Sequence, residues 1–481
     1  MRIVILFAKA GGGHESCAKA LKSEIIKQNP EINVELIDIL AKSPKWQQDL
    51  FCASYVFFTD KIPLVWSFLQ ILWKIDFLAN LTAIPLKLQI QNYLKEILDS
   101  KPDKIICTYF LVDKWLQDLQ ISNQNLDKTE KKLTQNLPEN SDQNAKIDQK
   151  TISQSDLQNL QNISKNNSKL NPNSNPNSKT KIPIWTVVTD LFSPHSVWFI
   201  GKNCNYLVFS ERAKLAAINR TVLPEKIVEF GVFFGEKFEK IGTKLEIENW
   251  KTELLKTPEI EVQKLQNNLQ NSQNYTENYT QIPTLLVVGG GESMPNGSAI
   301  LEEILKLQMS FNLIFVCGRN EKLRQKCDKI VAKWQENQAK IDEINSQKTN
   351  KFPKNIQILG FTTRLYEFIN ISDLVICKAG PATILEVISQ QKPFLISHFI
   401  WEQEIGNRDF AVTNGVAIYE NNPQKLAQKI QNLLSNAKEI DKMTQNYQNF
   451  KIQNDLPNIT KFLISDLYTQ IPPNLHKNNL K

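Results

Sequence analysis

The stretch DLVICKAGPATILEVISQQ, residues 373–391, decides the fold. An apolar run of strand length is followed by Lys378, Ala379 and Gly380. Pro381 then opens an apolar segment of helical period, where its fixed φ and missing N–H are tolerated. The reading is strand, tight loop, helix.

The same pattern recurs on both sides. TLLVVGGGES (284–293) is a strand and a glycine loop, with a helix beginning near Gly297. NLIFVCG, IQILGF and PFLISHF read as further strands, and RDFAVTNG and QKLAQKIQNLLS as helices. At the other end, RIVILFA (2–8), a glycine loop, a helix over 16–28 and NVELIDI (33–39) form a β-α-β opening. KIICTYF (104–110) and IPIWTVVTD (182–190) continue it. The alternation predicts an α/β chain of two doubly wound parallel domains. They face each other across a cleft lined by strand C-termini and helix N-termini. A length of 481 residues suits two domains with insertions. The expected limits are 1–235, 236–450, and a C-terminal helix and tail over 451–481.

Hydrophobic residues make up 41%, and the shortfall is local. Residues 120–181 are rich in Asn, Gln, Ser and Lys and hold neither an aromatic residue nor a glycine. Such a segment buries too little apolar surface to offset its ordering entropy, so a disordered insertion is expected. Shorter polar inserts are expected near 262–281 and 336–352. Residues 51–94 are the opposite, dense in aromatics and leucine but broken by Asp60, Lys61, Pro63, Lys74, Asp76 and Pro85. They form either a buried helix pair or an exposed apolar lobe that meets a membrane or an acyl chain.

A net charge of +7 without a Lys/Arg block argues against a nucleic-acid binder and permits an anionic lipid surface or a phosphorylated ligand. Seven scattered cysteines and four histidines give no zinc spacing and suit a reducing compartment, so neither a metal nor a bound cofactor is expected. MRIVILFA reads as a strand and not a signal peptide, and no run reaches about 18 apolar residues, the length of a spanning helix.

Four places carry chemistry. Gly289, Gly290 and Gly291 let a ligand approach the backbone. In the segment Gly380, Pro381, Ala382 and Thr383, the residues other than proline offer free N–H groups, and Thr383 a hydroxyl, to a diphosphate. Glu386, one turn on, can accept from both hydroxyls of a ribose; its plainer role is to complete a capping box. Glu402, Gln403, Glu404 and Asn407 can bracket sugar hydroxyls, or form an acidic helix start. His14, on the loop Gly11–Gly12–Gly13, is a candidate general base or a structural histidine.

AGGGHESCAKAL, VVTDLFSPHSVWF with YLVFSE, LVVGGGESMPNG, VCGRNEKL, GFTTRLYEFI, DLVICKAGPATILEVI and WEQEIGNRDFAVTNG together resemble the monogalactosyldiacylglycerol synthases and bacterial diacylglycerol glucosyltransferases. More distantly they resemble the transferase that adds N-acetylglucosamine to lipid I. The resemblance implies a GT-B fold, with a UDP-sugar on the C-terminal domain and a lipid acceptor on the N-terminal one. It implies inverting transfer of galactose or glucose from UDP-galactose or UDP-glucose to the 3-hydroxyl of diacylglycerol, at the cytoplasmic face of an anionic membrane. His14 would act as base, with Asp190 and His195 as competitors. Gly380 to Thr383 would hold the pyrophosphate with help from Arg319. Glu386 would hold the ribose, Gln403 and Glu404 the hexose, and the backbone at Phe361 and Thr362 the uracil. The chain departs from the family at Glu15, a charge expected to raise the His14 pKa, and at Trp401-Glu402, where Trp401 is expected to stack on the sugar. The same fold acting on lipid I, or as a UDP-sugar epimerase, is the alternative.

Overall fold

A computed structural model describes residues 1–9, 12–48, 58, 62–135, 181–255, 282–291, 294–345, 353–450 and 452–465. By contacts the chain divides into two units, Met1–Leu116 with Pro183–Lys481, and Gln117–Ile182. Both sheets belong to the first unit.

The first sheet holds β1 (Arg2–Phe7), β2 (Asn33–Asp38), β3 (Lys104–Cys107), β4 (Ile184–Val187), β5 (Asn205–Val208) and β6 (Ile227–Glu229). Its order is β2-β1-β3-β4-β5-β6, all parallel. The second holds β7 (Thr284–Val288), β8 (Asn312–Val316), β9 (Asn355–Leu359), β10 (Leu374–Lys378), β11 (Phe394–His398) and β12 (Ala417–Tyr419). Its order, β12-β11-β10-β7-β8-β9, is again all parallel and is the doubly wound order of dinucleotide-binding folds. Ile3–Leu6 and Leu285–Val288 are buried because helices cover both faces of each sheet. This pair of sheets is the GT-B arrangement expected from the sequence.

Strand order in a doubly wound sheet reverses at one crevice, and ligands bind there. In the first sheet it lies between β1 and β3, and in the second between β7 and β10. The loops after these strands carry the His14, Gly289–Gly291 and Gly380 motifs.

Several elements differ from expectation. The first helix is Gly12–Gln28, so His14 sits in its first turn rather than on a loop. Gly11 lies outside the described residues. Helix Val112–Gln135 runs through 120–135, which composition assigned to a disordered insert; the remainder to 180 is outside the described residues. Helix Glu321–Asn345 likewise takes up most of the insert expected at 336–352, and 262–281 is outside the described residues. The C-terminal helix Leu456–Ile464 returns to the first sheet's side, where Gln28 donates to Pro457 O at 2.9 Å and Phe462 meets Trp185 edge-on at 5.0 Å.

Of the 51–94 region, 51–57 and 59–61 are outside the described residues. The rest forms helices Pro63–Leu72 and Asp76–Asp99. The reading as a fully buried pair is wrong. Leu64, Phe77 and Leu88 are 85%, 71% and 67% exposed, and Val65, Phe68, Ile71, Ile75, Leu81 and Ile84 are exposed as well. Among the described residues no single helix is long and apolar enough to cross a membrane; these two, bent by 110°, are so only as a pair.

Candidate active site

The two crevices open into one cleft of about 380 Å³. Gly13, His14, Thr189 and Asp190 line it from the first sheet; Gly290, Gly291, Arg319, Phe361, Thr362, Gly380–Thr383, Glu386, Gln403 and Glu404 line it from the second.

His14 is held by two loops of its own sheet. Its Nδ1 lies 2.7 Å from Thr108 O and 3.0 Å from Thr189 Oγ1. A carbonyl only accepts, so Nδ1 carries the proton and Nε2 keeps its lone pair. Tyr109 packs edge-on at 5.1 Å and Trp198 lies at 6.0 Å. Burial lowers the His14 pKa to about 4, against the raising effect of the Thr108 bond. Glu15 does not perturb it as expected, because its carboxylate pairs with Lys19 at 2.7 Å and faces Arg319 at 3.9 Å.

Asp190 accepts from the Trp198 indole at 2.8 Å. Burial raises its pKa to about 7, with a smaller push from Glu404. His195 is not in the cleft. Its Nδ1 accepts from Val197 N at 3.1 Å and its Nε2–H donates to Gln70 O at 2.9 Å, so no lone pair remains for a base. Sequence reasoning misjudged it because Pro194–His195 stands in the acceptor-side motif; the imidazole caps the 3-10 turn Ser196–Phe199.

On the second sheet, helix Pro381–Ser389 begins at the cleft with Gly380 as N-cap and no side-chain cap bond. Its first N–H groups are thus uncapped by a side chain, and the helix dipole favours an anion there. Thr383 is buried beside them. Glu386 is not a capping residue, since a capping box needs Glu at the third helical position and that is Thr383. Burial raises the Glu386 pKa to about 8. Gly290 has φ +82, which a side chain rarely adopts, and a Cβ on Gly318 would lie 2.6 Å from Gly290 O. The glycines therefore let the β7 and β8 loops touch. Arg319 stacks over Phe361 at 4.6 Å.

Glu404 lines the cleft but also braces its own loop: Lys378 Nζ lies 2.9 Å from one carboxylate oxygen and Ile400 N donates to the other at 2.8 Å. Asn407 is fully buried, donates to Ala379 O at 2.9 Å and does not line the cleft, so it holds the loop before Gly380 instead of a sugar. Glu402 turns away to Lys74 at 2.6 Å. It has φ +66, a left-handed conformation that costs a side-chain-bearing residue on the order of 1 kcal/mol. Trp401 lines a neighbouring groove with Trp66 and Tyr419, not the cleft where stacking on a sugar was expected.

Among the described residues, Lys19, Lys237, Arg319 and Lys378 are the cations of the lining, and Glu15, Asp190, Glu386 and Glu404 are its acids. With Asp190 at about 7 and Glu386 at about 8, two of these four acids are substantially protonated at neutral pH, so the described part of the lining is net positive and suits a diphosphate. Sequence reasoning assigned no role to Lys378 or Thr189, although both stood in quoted motifs. Lys237 reaches the cleft from the short turn Glu236–Phe238, which carries no motif, and Tyr366 from helix Leu365–Ile371, within the quoted GFTTRLYEFI but with no role read for it.

Residues 284–456 match the glycosyltransferase family 28 C-terminal domain. The monogalactosyldiacylglycerol synthase of Spinacia oleracea is 27% identical over 299 residues, covering 58% of this chain and 48% of that protein. A probable monogalactosyldiacylglycerol synthase 2 of Oryza sativa subsp. indica is 25% identical over 258 residues, covering 52% and 45%. The chain thus spans about half the length of the curated relatives it matches. Among solved structures, Acinetobacter baumannii MurG aligns with 96% of this chain and 99% of its own at 12% identity and a TM-score of 0.46. Anabaena HepE in complex with UDP and glucose aligns with 97% and 100% at 13% identity and a TM-score of 0.45. The resemblance read from the motifs is therefore upheld: this chain is similar to the monogalactosyldiacylglycerol synthases, and its second sheet lies within a match to the glycosyltransferase family 28 C-terminal domain.

Proposed function

We propose that the chain is an inverting hexosyltransferase that moves galactose or glucose from a UDP-hexose to the 3-hydroxyl of 1,2-diacylglycerol. One observation carries the reading. A single cleft gathers an uncapped helix N-terminus, a carboxylate one turn along that helix, and a neutral imidazole with one nitrogen uncommitted. These are the groups that a diphosphate, a ribose and an attacking hydroxyl require.

In this reading the pyrophosphate rests on the N–H groups of Gly380, Ala382 and Thr383, with Lys378 and Arg319 beside it. Glu386 accepts from the ribose hydroxyls, Phe361 and Thr362 meet the uracil, and Gln403 and Glu404 meet the hexose. His14 Nε2 takes the proton of the acceptor hydroxyl as its oxygen bonds to C1 of the hexose. The C1–O bond to the β-phosphate breaks on the opposite face, and UDP leaves with the electron pair. The charge that develops on the leaving oxygen is met by preorganised N–H dipoles and cations. The exposed apolar helix pair docks on an anionic membrane at its cytoplasmic face, because diacylglycerol stays in the bilayer.

The test is UDP release from purified protein, given UDP-galactose or UDP-glucose, with and without diacylglycerol in anionic liposomes. Release that requires diacylglycerol, with a new glycolipid by mass, supports the reading and names the sugar. Release with lipid I alone moves the acceptor. Conversion of the UDP-sugar to its epimer without any lipid replaces transfer by epimerisation.

A further inference from the structure

The conformation of Glu402 depends on a residue far away in sequence. Its φ of +66 is one that side-chain-bearing residues rarely adopt, and it immediately precedes Gln403 and Glu404. The turn itself is closed by Gln403 N donating to Trp401 O and Glu404 N to Ile400 O, both at 2.9 Å, but the contacts on the Glu402 side chain come from the other sheet's side. Lys74 Nζ lies 2.6 Å from Glu402 Oε1, and His195 Nε2 lies 3.8 Å from Oε2. Beside this pair, the Gln70 amide lies between Trp401 O and the Trp66 indole N–H; a carbonyl only accepts and an indole only donates, which assigns its nitrogen to Trp401 O at 2.7 Å and its oxygen to the indole at 2.9 Å.

Lys74 is itself anchored. It stands at the elbow between the two apolar helices, after Leu72 and before Asp76. Arg220 donates to Lys74 O at 2.7 Å and pairs with Asp76 at 2.8 Å. The elbow is thus fixed to the first sheet's body while its lysine reaches the second sheet's loop. A half-exposed ion pair alone contributes little. This one acts beside the Gln70 hydrogen bond to Trp401 O, on a backbone conformation that is costly for a glutamate.

We propose that Lys74 is a positioning residue: by holding Glu402 in its left-handed conformation, it fixes the loop that presents Gln403 and Glu404 to the hexose of the donor. The inference rests on the reading of the cleft as a UDP-hexose site. It makes the hexose end of that site depend on the apolar elbow of the acceptor-side domain, whereas the uridine diphosphate end does not.

The experiment uses the full chain and three variants, Lys74→Met, Lys74→Arg and Glu402→Gly, plus the double variant Lys74→Met/Glu402→Gly. Lys74→Met is expected to raise KM for UDP-hexose about tenfold, as befits loss of an ion pair that offsets backbone strain, while Kd for UDP stays as in the wild type. Lys74→Arg restores KM. In the Glu402→Gly background, where the left-handed conformation is unstrained, Lys74→Met produces no further change. Hydrogen exchange of amides 400–408 in the free protein reads the same effect without any substrate: protection falls in Lys74→Met and not in the double variant. If exchange at 400–408 is unaltered by Lys74→Met, the proposal is overturned. If the wild type binds no UDP-hexose but exchange responds as expected, the functional reading fails and the positioning stands.

Discussion

His14 Nδ1 stands 2.7 Å from the carbonyl oxygen of Thr108, so the tautomer of this imidazole is fixed by the backbone at the end of β3. The consequence is a neutral ring whose other nitrogen has a lone pair. His14→Ala is expected to lower turnover by about 10²–10⁴, the usual range for a general base, with UDP-hexose affinity nearly kept. The pH profile separates this from its rival. His14 has a pKa of about 4, and the two donor charges raise it; Asp190 starts at about 7 and is raised as well. At saturating donor, an acid limb below about pH 6.5, the unperturbed histidine value, assigns the proton to His14. A limb at or above 7 that survives in His14→Ala assigns it to Asp190.

Glu386 yields a prediction about protons. Its pKa of about 8 means that it is largely protonated in the free protein at pH 7. Ribose hydroxyls that donate to it favour the ionised form, so UDP-hexose binding releases a proton and tightens as pH rises from 6 to 8. Calorimetry at pH 7 in buffers of different ionisation enthalpy measures this directly. Stability runs the other way. The folded pKa lies above the unfolded value of 4.5, so between 4.5 and about 8 the native state holds a proton that the unfolded chain has lost. Folding stability from this group therefore falls as pH rises through that window. Glu386→Gln is expected to raise Tm at pH 8 and to weaken UDP-hexose binding about tenfold or more, the scale of a lost charged hydrogen bond. A variant that lowers Tm at pH 8 would contradict the assignment.

The fold was legible because glycine and proline punctuate it. Gly380-Pro381 and Gly289–Gly291 mark where strands β10 and β7 end, and the apolar runs before them are too short for a helix. The site was legible where a motif lay on one such loop. What failed was legibility across loops. Nothing in the sequence near His195 says that Val197 N and Gln70 O take both its nitrogens, and nothing near Glu402 says that Lys74 will reach it. The helix in 112–135 was missed for another reason: its N-terminal half buries Val112, Trp115 and Leu116, but polar composition dominates the rest.

The apolar helix pair predicts a separable membrane function. Phe77 and Leu88 are 71% and 67% exposed and stand far from the cleft lining in sequence. Burying a large apolar side chain is worth about 1.5–3 kcal/mol, so Phe77→Ser with Leu88→Ser should weaken vesicle binding by about tenfold or more. UDP-hexose affinity in solution should not change. Sedimentation with anionic liposomes at low and high salt checks both the apolar contribution and the screened one. Unaltered sedimentation would assign membrane contact to another surface.

Gly406 tests whether the two sheets must meet for chemistry to occur. It is the second residue of helix Ile405–Thr413, after the 401–404 loop, and its N–H donates to Ser193 Oγ of the first sheet's side at 2.8 Å. A Cβ there would lie 2.6 Å from Phe192 C and 2.7 Å from Phe192 O. These are backbone atoms and cannot swing aside, while the neighbouring Phe192 and Phe410 rings are stacked at 4.3 Å. Gly406→Ala must therefore part the seam, at an overpacking cost of about 1–3 kcal/mol. UDP rests on the second sheet alone in the proposed reading, so its Kd should hold. Turnover needs His14 from one sheet within reach of the hexose on the other, and a displacement of about 1 Å can cost 10²-fold. Gly235→Ala, where the nearest side-chain atom is 4.0 Å from the added carbon, is the control for an added methyl at a spacious site. Full turnover in Gly406→Ala would mean that the sheets need not close at this seam, and that the donor and acceptor halves cooperate through some other contact.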